Sequence, residues 1–228
     1  MDEATWTAGR EPAAMLNFLR ATGWGSQRKL RLLACAFCRA VEHLLTDECY
    51  RRALDAAERY ADGVAGAGEL RDTERVVANA SRHTDEYEWS EDKQAMLLAA
   101  NAVGWAATLR EPPDPPVYLA GCAATGARSA ALTEGVPEAE ADGAQAALIL
   151  DILGDPFRPV ALDPGCLTAA VTDLARAIYD GRAFECLPIL ADALTGAGCD
   201  QGDILAHCRS GGSHVRGCWV VDLVLGKG

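Results

Sequence analysis

Leu30, Leu33, Phe37, Val41 and Leu44 recur at helical spacing for four turns behind Ser26, and that stripe sets the kind of fold the chain can adopt. An apolar face repeated every three to four residues is buried by a helix, not by a strand. The same spacing returns at Leu167, Val171, Leu174 and Ile178, and again at Phe184, Leu187, Ala191 and Leu194. Aromatics are only 6% of the residues and alanine dominates, a composition that favours helices over strands. The β-branched run CWVVDLVLG near the C-terminus has no convincing strand to pair with, and a lone strand leaves its backbone unsatisfied. It too reads as a helix. The expectation is an all-α fold, an irregular bundle or array of about ten short helices.

The punctuation supports this. Ser26, Thr46 with Asp47 and Glu48 behind it, Ser90 and Asp200 stand where N-caps belong, each offering an oxygen to free helix N–H groups. Gly196 and Gly198 supply a C-cap, and Pro188 falls in a first turn where its missing N–H costs little. Residues 1–10 read as loosely attached, and 117–143 are rich in small residues with little pattern. The segment DPFRPVALDPG is denied helix or central strand by Pro156, Pro159 and Pro164. Pro112, Pro113, Pro115 and Pro116 make a stiff connector. The chain therefore divides, on sequence, into helical units 1–111 and 117–228 joined by 112–116, an arrangement that still permits packing as one domain.

A formal charge of −12 repels phosphate backbones and anionic membranes. The one basic cluster, Arg28, Lys29 and Arg31 with Arg39, Arg51 and Arg52 nearby, reads as a solvated helix face rather than a nucleic-acid patch. There is no signal-peptide pattern at the N-terminus and no run of the ~20 apolar residues a membrane span needs. Nine cysteines, an odd count scattered through helical patterns, are expected as reduced thiols in the cytoplasm.

The strings RKLRLLACAFCRAVEHLLTDE, RALDAAERYADG, GDPFRPVALDP, ARAIYDGRAFECLPILADAL and DILAHCRSGGSHVRGCWVVDLVLGKG resemble a paralogous family abundant in planctomycete bacteria. The similarity covers both ends of the chain and not the middle, roughly 67–140. It implies a bacterial, cytoplasmic origin and nothing catalytic.

Candidate chemistry sits in two places. Cys35 and Cys38 form a C-x-x-C at i, i+3 on a helix, half of a tetrahedral zinc site. The remaining ligands would come from His43, or from Cys208, His214 and Cys218 if the two ends meet. The spacing Cys199-x8-Cys208-x5-His214-x3-Cys218 follows no standard zinc template, and buried cysteine behaves as a small hydrophobe; no stoichiometric zinc is expected. For nucleophilic catalysis the one suggestive group is His207, Cys208, His214 and Asp222. Adjacent helix residues diverge by about 100°, so Cys208 would need His214, and no oxyanion-hole signature accompanies it. The acidic loop holding Asp85, Glu86, Glu88, Glu91 and Asp92 lacks the order of a calcium loop. Phosphate loops and dinucleotide fingerprints are absent, and no cofactor is expected.

Asp222 is the lone charge in the run Cys218 to Leu225, so it should be partly buried and bonded to Arg209, Arg216 or an N–H of 210–217. On that reading Arg209, His214, Arg216 and Asp222 form a structural polar network, and Asp222→Ala costs ~2–4 kcal/mol. The functional reading is a non-catalytic helical interaction or scaffold module with a protein partner. The alternative is a zinc-binding or thiol-dependent protein using Cys35, Cys38, Cys208, His214 and Cys218.

Overall fold

A computed structural model describes residues 1–83, 90–109 and 116–228. Among these residues there are twelve α-helices and no strand. They are α1 (Glu3–Ala8), α2 (Pro12–Thr22), α3 (Gln27–Ala40), α4 (Glu48–Ala61), α5 (Ala67–His83) and α6 (Glu91–Ala107). The chain continues as α7 (Pro116–Thr133), α8 (Glu138–Leu153), α9 (Ala169–Gly181), α10 (Leu187–Gly196), α11 (Gly202–Arg209) and α12 (Trp219–Leu225). The C-terminal β-branched run is helical, as its lack of a pairing partner requires. No helix among the described residues is long and apolar enough to cross a membrane.

The helices form two compact units, Met1–Ala146 and Ala147–Gly228. The division falls inside α8. The sequence placed it at 112–116, a segment that lies mostly outside the described residues, but α7 packs on α3 and α6 and so belongs to the first unit. The reason is steric. Ala99, Ala102, Val103 and Ala106 of α6 and Ala120, Ala123, Ala127 and Ala130 of α7 are all buried, and small side chains let helix backbones approach closely. At Gly126 an added Cβ would lie 3.0 Å from the Ala102 Cβ and 3.1 Å from the Leu98 carbonyl oxygen.

In the first unit α3 presents Leu30, Leu33 and Phe37 to the core, as its stripe dictates. Residues 1–10 correct their expectation: α1 is capped by Asp2, and Trp6 is fully buried with its ring 5.5 Å from that of Phe18. Of the basic cluster, Arg28, Arg31 and Arg39 are half-buried and engaged internally, while Arg51 and Arg52 are solvated as expected. Arg28 pairs with Asp62 at 2.9 Å, and Arg31 donates to the Ala106 carbonyl at 2.8 Å. Arg39 meets Glu42, Asp55 and buried Glu58, while Arg51 and Arg52 pair with Glu42 and Glu48.

The second unit packs α9 against α10 and α12, with α11 against α10. Val171, Ile178, Leu187, Leu190, Leu194, Ile204, Val220, Val221 and Val224 fill its core, each contributing about 1.5–3 kcal/mol by leaving water. Two caps differ from expectation. Asp47, not Thr46, caps α4, and α11 starts at Gly202 with no side-chain cap from Asp200.

Candidate metal centre

Asp151 sits in the last turn of α8, within the otherwise apolar run Ala146 to Leu153. It is 4% exposed, and a carboxylate so buried persists only with partners. Three reach it. His214 Nδ1 lies 2.6 Å from Oδ1, His207 Nε2 lies 3.1 Å from the same oxygen, and the Val215 N–H donates to Oδ2 at 2.9 Å. His207 Nε2 is also 3.2 Å from the Cys218 sulfur.

The backbone that assembles this group is short and turn-rich. α8 ends at Gly154, whose φ of +65° is the left-handed conformation of a helix C-cap. That glycine also admits the Trp219 ring, because a Cβ there would meet the ring at 3.3 Å. α11 carries His207 on its last turn, and the loop 210–217 returns the chain past His214 to Cys218, the N-cap of α12. One donor atom from each of Asp151, His207, His214 and Cys218 falls within 4.8 Å of all the others.

The electrostatics follow from that packing. Burial opposes the Asp151 carboxylate, but hydrogen bonds from His207 and His214 outweigh it and hold the group below its ordinary value. The bond to Asp151 lifts His214 above the usual imidazole value, with burial opposing. Burial drives the Cys218 thiol far up, and nearby Asp151 adds to the effect. Cys218 is fully buried. Without a metal it is a protonated, inaccessible thiol, the reverse of an activated nucleophile.

The sequence had singled out His207, His214 and Cys218, which the structure brings together. Other expected members lie elsewhere. Cys208 is buried with its thiol pushed up to about 12, chiefly by desolvation, and His207 turns to Cys218. Cys35 and Cys38 are buried in α3 of the first unit and are not among the four clustered donors. His43 meets Glu134 at 2.9 Å. Arg209 reaches Asp192 at 3.0 Å and Thr195 at 3.4 Å on α10, so it is not the cation for Asp222. Arg216 lies over the Tyr179 ring at 4.5 Å, and Asp222 is 1% exposed. Of the acidic loop, Asp85, Glu86 and Glu88 lie outside the described residues, while Glu91 and Asp92 open α6 behind the Ser90 cap. Asp151 is the donor that sequence reasoning missed. Its signal was the one applied to Asp222, a single carboxylate in an apolar run.

A concavity of about 470 Å³ lies in the first unit, lined by Arg20, Trp105, Tyr118 and Cys122 among others. It gathers no comparable set of donors. The chain matches no family model, no curated protein and no solved structure, so a functional reading rests on the site itself.

Proposed function

We propose that the protein is a non-catalytic helical module whose C-terminal unit is clamped by one zinc-type ion held by Asp151, His207, His214 and Cys218. The observation that carries this is the convergence of four donors from α8, α11, a loop and the N-cap of α12 within 4.8 Å. Two nitrogens, a carboxylate oxygen and a thiolate are a set that suits zinc. A tetrahedral zinc with bonds of about 2.0–2.3 Å spaces its donors about 3.3–3.6 Å apart. The contacts of 2.6, 3.1 and 3.2 Å would open by less than 1 Å to accept it, while donor pairs as much as 4.8 Å apart would close.

Four protein ligands close a tetrahedral shell and leave no position for a substrate, which makes the role structural. A unit of only about 80 residues gains most from such a staple. The ion would tie the end of α8 to the start of α12, elements far apart in sequence. Outer contacts support the reading at two ligands. The Val215 N–H holds the second Asp151 oxygen, and the Ser210 hydroxyl faces His214 Nε2 at 3.3 Å, as ligating groups require.

The test is elemental analysis of protein purified without chelator, followed by a chelator competition. We expect one zinc per chain, lost in Asp151→Ala and His214→Ala and kept in a Cys35→Ser/Cys38→Ser double variant. Zinc-free protein that also fails to take up added zinc would leave the cluster a hydrogen-bonded polar core and end the proposal.

A further inference from the structure

His207 is held differently from the other ligands. Its Nδ1 receives the Trp219 indole N–H at 3.0 Å. An indole nitrogen can only donate, so Nδ1 is the ring's lone-pair nitrogen and the ring proton sits on Nε2. Nε2 is the atom that faces Asp151 at 3.1 Å and the Cys218 sulfur at 3.2 Å, both acceptors here. In this arrangement His207 donates a proton into the cluster where a ligand must offer a lone pair.

His214 shows the contrast. The Ser210 hydroxyl donates its one proton to the His207 carbonyl at 2.8 Å. His214 Nδ1 also donates to Asp151 here, at 2.6 Å, but the Ser210 oxygen, 3.3 Å from Nε2, is free to accept an Nε2–H once Nδ1 turns to an ion. Both rings must therefore move a proton to ligate, but His214 has an acceptor waiting at its far nitrogen and His207 has the Trp219 N–H donor there.

We infer, building on the metal reading above, that Trp219 is a gate that competes with the ion for His207. For the site to load, His207 must carry its proton on Nδ1 rather than Nε2, and His214 its proton on Nε2 rather than Nδ1, so each neutral ring changes tautomer with no net change in charge. The Cys218 thiol releases its proton to solvent as the sulfur–metal bond forms. Trp219 Nε1–H then points at an N–H instead of a lone pair, and that hydrogen bond is lost. Trp219 adjoins the ligand Cys218, packs on Gly154 and lies 5.1 Å from His207 between ring centroids. Loading is thereby coupled to the seating of the first turn of α12, and the ion's arrival is transmitted to the C-terminal helix.

The experiment uses full-length, metal-stripped protein and zinc itself as the probe. Trp219→Phe keeps a ring over Gly154 but removes the N–H donor. In competition with a zinc chelator, this variant should bind about three- to tenfold more tightly than the unsubstituted protein, the range for releasing one neutral hydrogen bond. In ¹H–¹⁵N spectra of the unsubstituted protein, the indole N–H resonance missing from Trp219→Phe should move upfield on adding one equivalent of zinc. If the variant does not fold, the resonance in ¹⁵N-tryptophan protein, assigned through its contacts to His207, decides alone. Equal or weaker binding by a folded variant, or an indole resonance unmoved by bound zinc, would refute the gate and leave the metal site standing. Protein that takes no zinc with either residue at 219 overturns both.

Discussion

Three donors converge on the Asp151 carboxylate, which water barely reaches. Removing one member of a buried charged pair strands the others and costs about 3–5 kcal/mol. We expect Asp151→Ala to lose about that much in urea unfolding with chelator present, where only the hydrogen-bonded network is at stake. A variant of unchanged midpoint would mean that His207 and His214 reach water on their own. Thiol chemistry tests the same surroundings. Cys35, Cys38, Cys166, Cys199, Cys208 and Cys218 are buried, leaving Cys49, Cys122 and Cys186 half-exposed. Desolvation, with Asp47 beside it, pushes the Cys49 thiol to about 11. At neutral pH we expect Cys122 and Cys186 to alkylate first and Cys208 and Cys218 only on unfolding, by mass spectrometry of labelled peptides. What was legible at this scale was the set of residue types. His207, His214 and Cys218 stood out, but the partner that organises them lies more than fifty residues upstream, and no local spacing encodes such a meeting.

The helices themselves were mostly readable because their starts are chemically marked. Ser26 and Ser90 accept hydrogen bonds from the Lys29 and Lys93 N–H groups, and Thr168, whose mark went unread, accepts from Val171 N–H. α7 and the first half of α8 were not readable, since the stripe Ala120, Ala123, Ala127 and Ala130 is made of residues too small to contrast with their neighbours. The glycines of this region separate two physical effects. Gly126 has no room for a Cβ against α6, whereas Gly104, in the interior of α6, meets nothing within 4 Å. Gly126→Val should cost about 1–3 kcal/mol by overpacking, and Gly104→Ala should gain about 0.5–1 kcal/mol from helix propensity. Thermal melts that reversed these signs would refute the close α6–α7 contact. α1 escaped notice because one tryptophan on a six-residue helix shows no period. Trp6 is 0% exposed, so Trp6→Ala should cost about 3–5 kcal/mol, and a melt shifted by less than 2 °C would show the segment loosely attached after all.

At the scale of the molecule, the two units have different means of support. The first is held by apolar helix faces and by ion pairs such as Arg28 with Asp62 and Arg128 with Asp142, none of which changes on chelation. The second has a smaller core and, on the proposed function, a metal cross-link among α8, α11 and α12. An ion that binds only the folded state adds about 2.7 kcal/mol at a free concentration one hundred times its dissociation constant. Because zinc displaces the Cys218 proton, that contribution shrinks as pH falls. Chelation should therefore act on one unit and spare the other. In hydrogen exchange at neutral pH, we expect EDTA to cut protection in 202–225 about a hundredfold and to leave Gln27–Ala40 and Glu91–Ala107 unchanged. Lowering the pH in the presence of zinc should weaken protection in the same segment first, after correction for the intrinsic exchange rate. Uniform loss across all three helical segments would mean that the chain opens as one cooperative body, and no loss in any of them would mean that α11 and α12 are held by their apolar faces alone.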